Sequence, residues 1–383
     1  MLKAFKTEIK PTYEQKRKIN RTFGVCRYLY NLFIVTNMRR HEKGISFQNA
    51  NEFDKWVNND YSLDHPWIKD VSSKARKKAI VNAETAFKRF FKGESGFPRF
   101  KKKRDQNTGF YAPKNNTGDW TVERHRIKIP TLGWVRIKEF GYIPLDARVT
   151  GGSVTQKADR YYVSVTIEQE EIEPEIPTST GIGIDLGLKE FAVVSSGKTF
   201  FNINKTAAIK RIEKKLKRQQ RSLSRKYESK KKGGESSTGT YRNIAKNVLR
   251  VQKLQVRLAR IRSAYRAYVV RELAKTKPAF ITIEKLNVKG MMKNRHLSKA
   301  IANQGFYDFK MKLLNVCKKI GAELREVDHF YPSSKLCSCC GYKKERLRLS
   351  ERIYVCESCG ESIDRDLNAA INLKRASDYV VLK

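Results

Sequence analysis

Three acidic residues stand where a carboxylate is costly unless it meets a cation. Asp185 lies in the run Gly-Ile-Asp-Leu-Gly, among Ile182, Ile184 and Leu186, text for a central strand whose glycines allow close approach of backbone or ligand. Glu284 ends a second apolar strand, Phe-Ile-Thr-Ile-Glu, and a buried carboxylate there needs a cation or a donor. Asp366 lies in Asp-Arg-Asp-Leu-Asn-Ala-Ala, near the start of a helix, where negative charge suits the helix dipole. A turn cap or a salt bridge accounts for any one of these residues, but not for all three together in a chain this basic. Three carboxylates from three elements of one α/β core make a cage for two Mg2+ ions about 3.5–4 Å apart. One ion activates water and the other stabilises the leaving 3′ oxygen of a phosphodiester.

A second set of ligands is sulfur. Cys337-x2-Cys340-Gly and Cys356-x2-Cys359-Gly, separated by 15 residues, form two knuckles whose four thiolates can close a tetrahedral Zn2+ site. With no position left open for water or substrate, one zinc there is structural; an iron–sulfur cluster is the other chemistry such a set can hold. Cys339 is the odd member, and Cys26 and Cys317 sit in apolar-periodic helical text as buried thiols. The second knuckle ends five residues before Asp364 and seven before Asp366, so it braces the element carrying the third carboxylate.

Charge names the partner class. The 383 residues carry 80 Lys and Arg against 39 Asp and Glu, a net charge of +41. A compact chain of that charge repels itself unless a polyanion neutralises it, which implies a nucleic-acid partner and salt-dependent affinity. No run of about 20 apolar residues exists, which excludes a spanning helix and a membrane partner. The start, MLKAFKTEIKPTYEQ, lacks a signal peptide's apolar run, so a cytoplasmic location is expected. Five of the seven cysteines fall between Cys337 and Cys359, a cluster that reads as metal ligation in a reducing compartment.

The elements that must position these residues follow from period. After an alternating first segment and Pro11-Thr12, a helix begins around Glu14 with Ile19, Phe23, Tyr28, Leu29 and Leu32 on its apolar face. A polar, broken segment follows (46–71), then a basic amphipathic helix (72–93) that packs through Ala79, Ala83, Ala86 and Phe87. Residues 108–170 change to β text, a small antiparallel barrel or open sheet. There Val163, Val165 and Ile167 alternate with Tyr162, Ser164 and Thr166. The acidic, Pro-containing stretch 171–180 marks the domain boundary. Two strands follow, then a helical hairpin (206–228 and 241–273), a strand (278–288), a helix (303–320), a short strand, the cysteine region and a last helix. SKKKGGESSTGT links the hairpin's helices as a flexible connection. In the hairpin's first helix nine Lys or Arg fall within 210–226 and only Glu213 opposes them. Lys210, Arg211, Lys214, Lys217, Arg218 and Arg221 are therefore candidate phosphate contacts, the alternative being a solvated face.

GIGIDLG, ITIEKL, FYPSSKLCSCCG, YVCESCG and DRDLNAAINL resemble, in order, the signatures of the transposon-encoded TnpB proteins, relatives of the miniature type V CRISPR effectors. KAFKTEIKPTYEQKRKIN, CRYLYN and AFKRFFKGESGFPRFKKK look like that family's N-terminal half, so the resemblance covers nearly the whole chain. It implies a multidomain α/β plus β-barrel protein. A wedge-like β-barrel (1–10 and 106–172) would receive an inserted helical recognition lobe (11–105). After a linker (173–180), an RNase H-like (RuvC) nuclease core (181–332 and 361–383) would be interrupted by a zinc ribbon (333–360). It implies an RNA-guided endonuclease that binds a guide RNA from the end of its own transposon, checks a transposon-adjacent motif and cuts double-stranded DNA. By motif, Asp185, Glu284 and Asp366 are the catalytic Mg2+ ligands, Asp364 an accessory neighbour, and Cys337, Cys340, Cys356 and Cys359 the zinc ligands. The motif-reading helix falls at 72–90, where relatives commonly show a Gln and this chain has Lys and Arg; Ser73, Arg76 and Lys77 are the candidate contacts. These contact base edges or phosphate.

Three rival readings compete with this one. A transposase or integrase would use them for strand transfer without RNA, and would carry a dedicated DNA-binding module such as a helix-turn-helix. A guided binder that has lost cleavage would have lost a carboxylate. A non-enzymatic zinc-ribbon protein leaves Asp185 and Glu284 unexplained.

Overall fold

A computed structural model of the chain describes residues 2–103, 108–114, 117–145, 147–170, 177–232, 238–348 and 350–382. Of the segments read above, the linker lies outside the described residues up to 176, and the hairpin connection does so at 233–237. The chain divides into two compact units, Met1–Glu171 and Ile172–Lys383.

In the first unit β1 (Leu2–Lys10) leads into α1 (Tyr13–Glu42). The helix begins at Tyr13, one residue earlier than its periodicity indicates, with Thr12 as its cap. The Thr12 hydroxyl accepts the Gln15 N–H while the Gln15 side chain accepts the Thr12 N–H, which satisfies two donors that a helix start otherwise leaves open. The polar, broken segment holds a helix that its composition hides: α2 (Ala50–Trp56) opens on a second reciprocal cap, Asn49 with Glu52. Its Phe53 is fully buried against Phe33, ring centroids 5.1 Å apart. α3 (Ser73–Phe91) packs on α1 through Ile80, Ala83 and Phe87. Strands β2 (Thr108–Pro113), β3 (Arg126–Ile129), β4 (Gly133–Ile137), β5 (Arg148–Lys157) and β6 (Arg160–Glu168) join β1 in one antiparallel sheet. Its order is β2-β5-β6-β1-β4-β3, and it is left open at β2 and β3. Val163, Val165 and Ile167 face its core; Ser164 and Thr166 are half-buried, but Tyr162 is buried as well. The Lys6 ammonium of β1 lies 5.7 Å from the Tyr162 ring centre.

The second unit is a mixed sheet with helices on both faces. β7 (Ile182–Leu186), β8 (Glu190–Val194) and β9 (Thr199–Phe201) form a meander, followed by the long helices α4 (Ala207–Lys232) and α5 (Thr238–Ala274). Then come β10 (Phe280–Glu284), α6 (Phe306–Ile320) and β11 (Glu323–Val327), the hairpin of β12 (Ile353–Val355) and β13 (Ser362–Asp364), α7 (Arg365–Arg375) and the edge strand β14 (Val380–Leu382). The order is β14-β11-β10-β7-β8-β9, with β7, β10 and β11 parallel and β8, β9 and β14 antiparallel to their neighbours. Ile184, Ile281 and Ile283 point to one face, where they meet Val269 and Leu273 of α5 and Phe309 and Leu313 of α6. Because side chains alternate along a strand, Gly183 and Thr282 point to the other face. There α7 crosses β7 so closely that a Cβ on Gly183 would stand 2.1 Å from the Ala370 carbonyl oxygen.

Candidate active site and metal centre

The parallel register sets Ile184 beside Ile283, so the next residue of each strand, Asp185 and Glu284, are neighbours on the α7 face. Asp366 reaches the same place from the first turn of α7, one helical turn before the Ala370 carbonyl that lies on Gly183. All three are half-buried. The Asp185 carboxyl is pushed up to about 7, first by burial and then by the charges of Asp366 and Glu284, against a smaller pull from Arg365 and the Leu186 N–H. Burial also raises Glu284, opposed by His329. Arg352 stands 3.9 Å from Asp366 at the rim. Three acids gathered in one place, with Asp185 and Glu284 pushed up by burial, form a seat for a cation. Asp364, expected as an accessory neighbour, caps α7: its exposed carboxylate accepts the N–H groups of Asp366 and Leu367, each at 3.0 Å.

The four cysteines are closer still. Among the described residues they are the one group of three or more such ligands whose donor atoms all lie within 4.8 Å of one another; the carboxylates do not close to that spacing. Cys337 and Cys359 sulfurs are 3.7 Å apart and those of Cys340 and Cys356 3.6 Å. A tetrahedron with metal–sulfur bonds of about 2.3 Å has edges of about 3.8 Å, so the donor set fits a metal ion. Gly341 and Gly360 take φ of 79° and 72°, and their N–H groups return to the Cys337 and Cys356 carbonyls, closing two equivalent knuckles. Cys339 is exposed and outside the set, while Cys26 and Cys317 are buried with thiols pushed up to about 12 by that burial.

One helix ties the two sites together. Asn368 of α7 is fully buried, donating to the Leu336 carbonyl at 2.6 Å and accepting the Ser338 N–H at 2.9 Å. Asn372, one turn on, donates to the Ser333 and Leu336 carbonyls at 2.8 and 2.7 Å, and Arg375 donates to the Ser338 carbonyl. The loop carrying the first knuckle is thus held by the helix carrying Asp366, and the second knuckle runs through β13 directly into that helix. Asn372 and Ser338 of this clamp carry no signal in the sequence without the fold.

The candidate nucleic-acid residues divide. Lys210, Arg211, Lys214, Lys217, Arg218 and Arg221 are all exposed on α4, whose other side buries Ile209 and Ile212 against Leu258 of α5. Ser73 and Lys77 are exposed on α3. Arg76 departs from the expected surface position. It is buried at 6% exposure, and burial lowers its pKa against the support of Asp54. The resemblance named it with Ser73 and Lys77, but the helix turns it inward with Ala75 and Ala79.

Three family models match separate segments: a helix-turn-helix domain at 1–46, a "Probable transposase" model at 164–295 and a Cas12f1-like TNB domain at 306–373. Over 1–46 the chain forms one strand and one continuous helix, α1. InsQ of Escherichia coli (strain K12), whose name describes an RNA-guided DNA endonuclease, is 29% identical over 99% of this chain and 93% of its own length. A Streptomyces pristinaespiralis protein with a name of the same meaning is 28% identical over 98% of this chain and 89% of its own. A Cas12f1 solved with guide RNA and target DNA shares the fold across 98% of each chain, with a TM-score of 0.55 at 14% identity. The chain is thus similar to these relatives along nearly its whole length, and segment by segment to the transposase and Cas12f1-like models.

Proposed function

We propose that the chain is an RNA-guided DNA endonuclease. It binds a guide RNA derived from the transposon end, recognises a short transposon-adjacent motif, and cleaves double-stranded DNA at Asp185, Glu284 and Asp366. The carrying observation is the convergence of these residues on one sheet face, with Asp185 pushed up to about 7 by burial and by the other two acids. The strand order and senses of the second unit support an RNase H-like core, and the antiparallel sheet with α1–α3 supports a wedge and recognition lobe. Two Mg2+ ions bound by the carboxylates would supply an activated water and a stabilised leaving oxygen. The protein's own work is placement: β7 and β10 fix two acids in register, α7 delivers the third, and the core behind Ile184 and Ile283 keeps that arrangement rigid. The sulfur spacings support one structural zinc. Exposed cations of α4, with Ser73 and Lys77, are the proposed contacts to nucleic acid.

The second reading, a transposase acting without RNA, draws support from the descriptions of the models at 1–46 and 164–295. Sequencing the RNA that co-purifies from cells carrying the gene with its flanking DNA separates the two. One defined species with a variable 3′ end, which programs cleavage of matching DNA, is the expected result; random or absent RNA sinks the guided reading.

A further inference from the structure

Phe330 stands out by exposure: 81%, more than any other large hydrophobic side chain among the described residues. Its position is fixed rather than loose. β11 ends at Val327, which is fully buried and pairs in register with Glu284, and the Val327 carbonyl accepts the Lys285 N–H at 3.0 Å. Beyond the strand, Asp328 accepts the Phe330 N–H at 3.0 Å and pairs with His329 Nδ1 at 3.2 Å. Tyr331 then packs on Val327 and Leu373, and its hydroxyl donates to the Asn372 carbonyl of α7. A ring pinned on both sides is held in solvent, with the His329 ring against it at 3.7 Å between centroids. Three residues past Val327, which neighbours Glu284 across the sheet, Phe330 lies at most about 16 Å from Glu284 between Cα atoms. Chance exposure of an aromatic is common, but here one end of its turn is anchored to the strand beside a carboxylate and the other to the helix that carries Asp366.

We propose that the Asp328–Tyr331 turn seats the unpaired DNA strand at the nuclease site, with Phe330, backed by His329, stacking on a base near the phosphate to be cut. An aromatic face in water binds an unpaired base of any identity, which suits a site that must accept every target sequence. A paired base offers no free face, so the seat selects strand that has already been opened. The inference deepens the endonuclease reading and rests on it.

The test uses the full chain carrying Asp185→Asn, with and without guide RNA, titrated with a short single-stranded DNA holding one 2-aminopurine. Salt of about 0.3 M weakens binding through phosphates alone. Stacking quenches the probe. Phe330→Ala should lower the affinity of the quenched state about tenfold, within the range for one stacked base; Phe330→Trp should restore it and Phe330→Leu should not. Equal quenching and affinity in Phe330→Ala overturns the seat. A second measurement takes the otherwise wild-type chain with guide and Mg2+, where Phe330→Ala should raise KM about tenfold with kcat little changed. Absence of any cleavage by the wild type sinks the endonuclease reading instead, and the fluorescence result still decides the seat.

Discussion

Cys337, Cys340, Cys356 and Cys359 lie within 23 residues of chain, whereas Asp185, Glu284 and Asp366 are drawn from across 182. The sulfur set is assembled by two local turns, each closed by a glycine in the left-handed region, so its geometry is nearly settled once those turns form. The oxygen set exists only when β7, β10 and α7 have packed, and its members repel one another until a cation arrives. Local assembly gives a site that can support; long-range assembly gives one that must be supported. In this unit the first is clamped to the second through Asn368 and Asn372.

The largest effect belongs to the oxygen set. Asp185→Asn should lower guided cleavage at least about a thousandfold, the loss of several kcal/mol of metal-borne stabilisation, while RNA binding and circular dichroism stay unchanged. Retained cutting would falsify the assignment. Cys356→Ser, or removal of the metal by a chelator, should open the 333–363 region to protease and reduce cleavage about a hundredfold, because α7 is no longer held to within an ångström. The first unit should keep its protease resistance. Normal cleavage after loss of the metal would break the proposed coupling between the two sites.

Gly183→Ala attacks the carboxylates without touching one. Its methyl group would meet the backbone of α7, the Ala370 carbonyl oxygen at 2.1 Å and the Lys374 nitrogen at 2.4 Å, so α7 has to move. Unfolding in urea should show a loss of about 3 kcal/mol, with cleavage falling alongside. Wild-type stability in this variant would mean that the close crossing does not position Asp366.

What the sequence made legible follows the same division. Four cysteines at matched spacings, and single acids ending apolar strands, can be read residue by residue. The register between β7 and β10 cannot, because pairing depends on two strands and a helical hairpin folding between them. The helix at Ala50–Trp56 was hidden because Asn and Asp signal breaks, and here Asn49 is a cap rather than a break. Arg76 was misplaced for a related reason: on a helix this rich in Lys and Arg, charge alone does not tell which basic residue faces inward. Asp364 and Asp366 are alike by type; the resemblance singles out Asp366 as the ligand, and the fold adds that Asp364 caps α7.

The two sites also differ in their response to pH. The Asp185 carboxyl rises from 3.8 to about 7 in the folded chain. Below about pH 4 it is protonated folded or unfolded and contributes no difference. Between 4 and 7 the unfolded chain ionises while the folded one holds its proton, so the metal-free protein loses stability as pH rises, and the loss is constant above 7. The full shift corresponds to about 4 kcal/mol, and solvent screening of a half-buried group brings it to about 2 kcal/mol. With Mg2+ chelated, Asp185→Asn should therefore match the wild type near pH 4 and exceed it by about 2 kcal/mol at pH 8. A gap that shrinks with rising pH would reverse the sign and remove the case for an unneutralised cage.

The smallest effect tests the hairpin against both metal sites. Lys214, Arg218 and Arg221 are exposed on α4. If they meet phosphate, replacing all three with Gln should flatten the dependence of log affinity on log salt by about two to three, and weaken RNA or DNA binding uniformly across sequences. The pH gap of Asp185→Asn and the protease resistance of the ribbon should not move. An unchanged salt slope would make this a solvated face, with its repulsion screened by salt rather than by phosphate. The +41 charge would then have to be neutralised elsewhere on the chain.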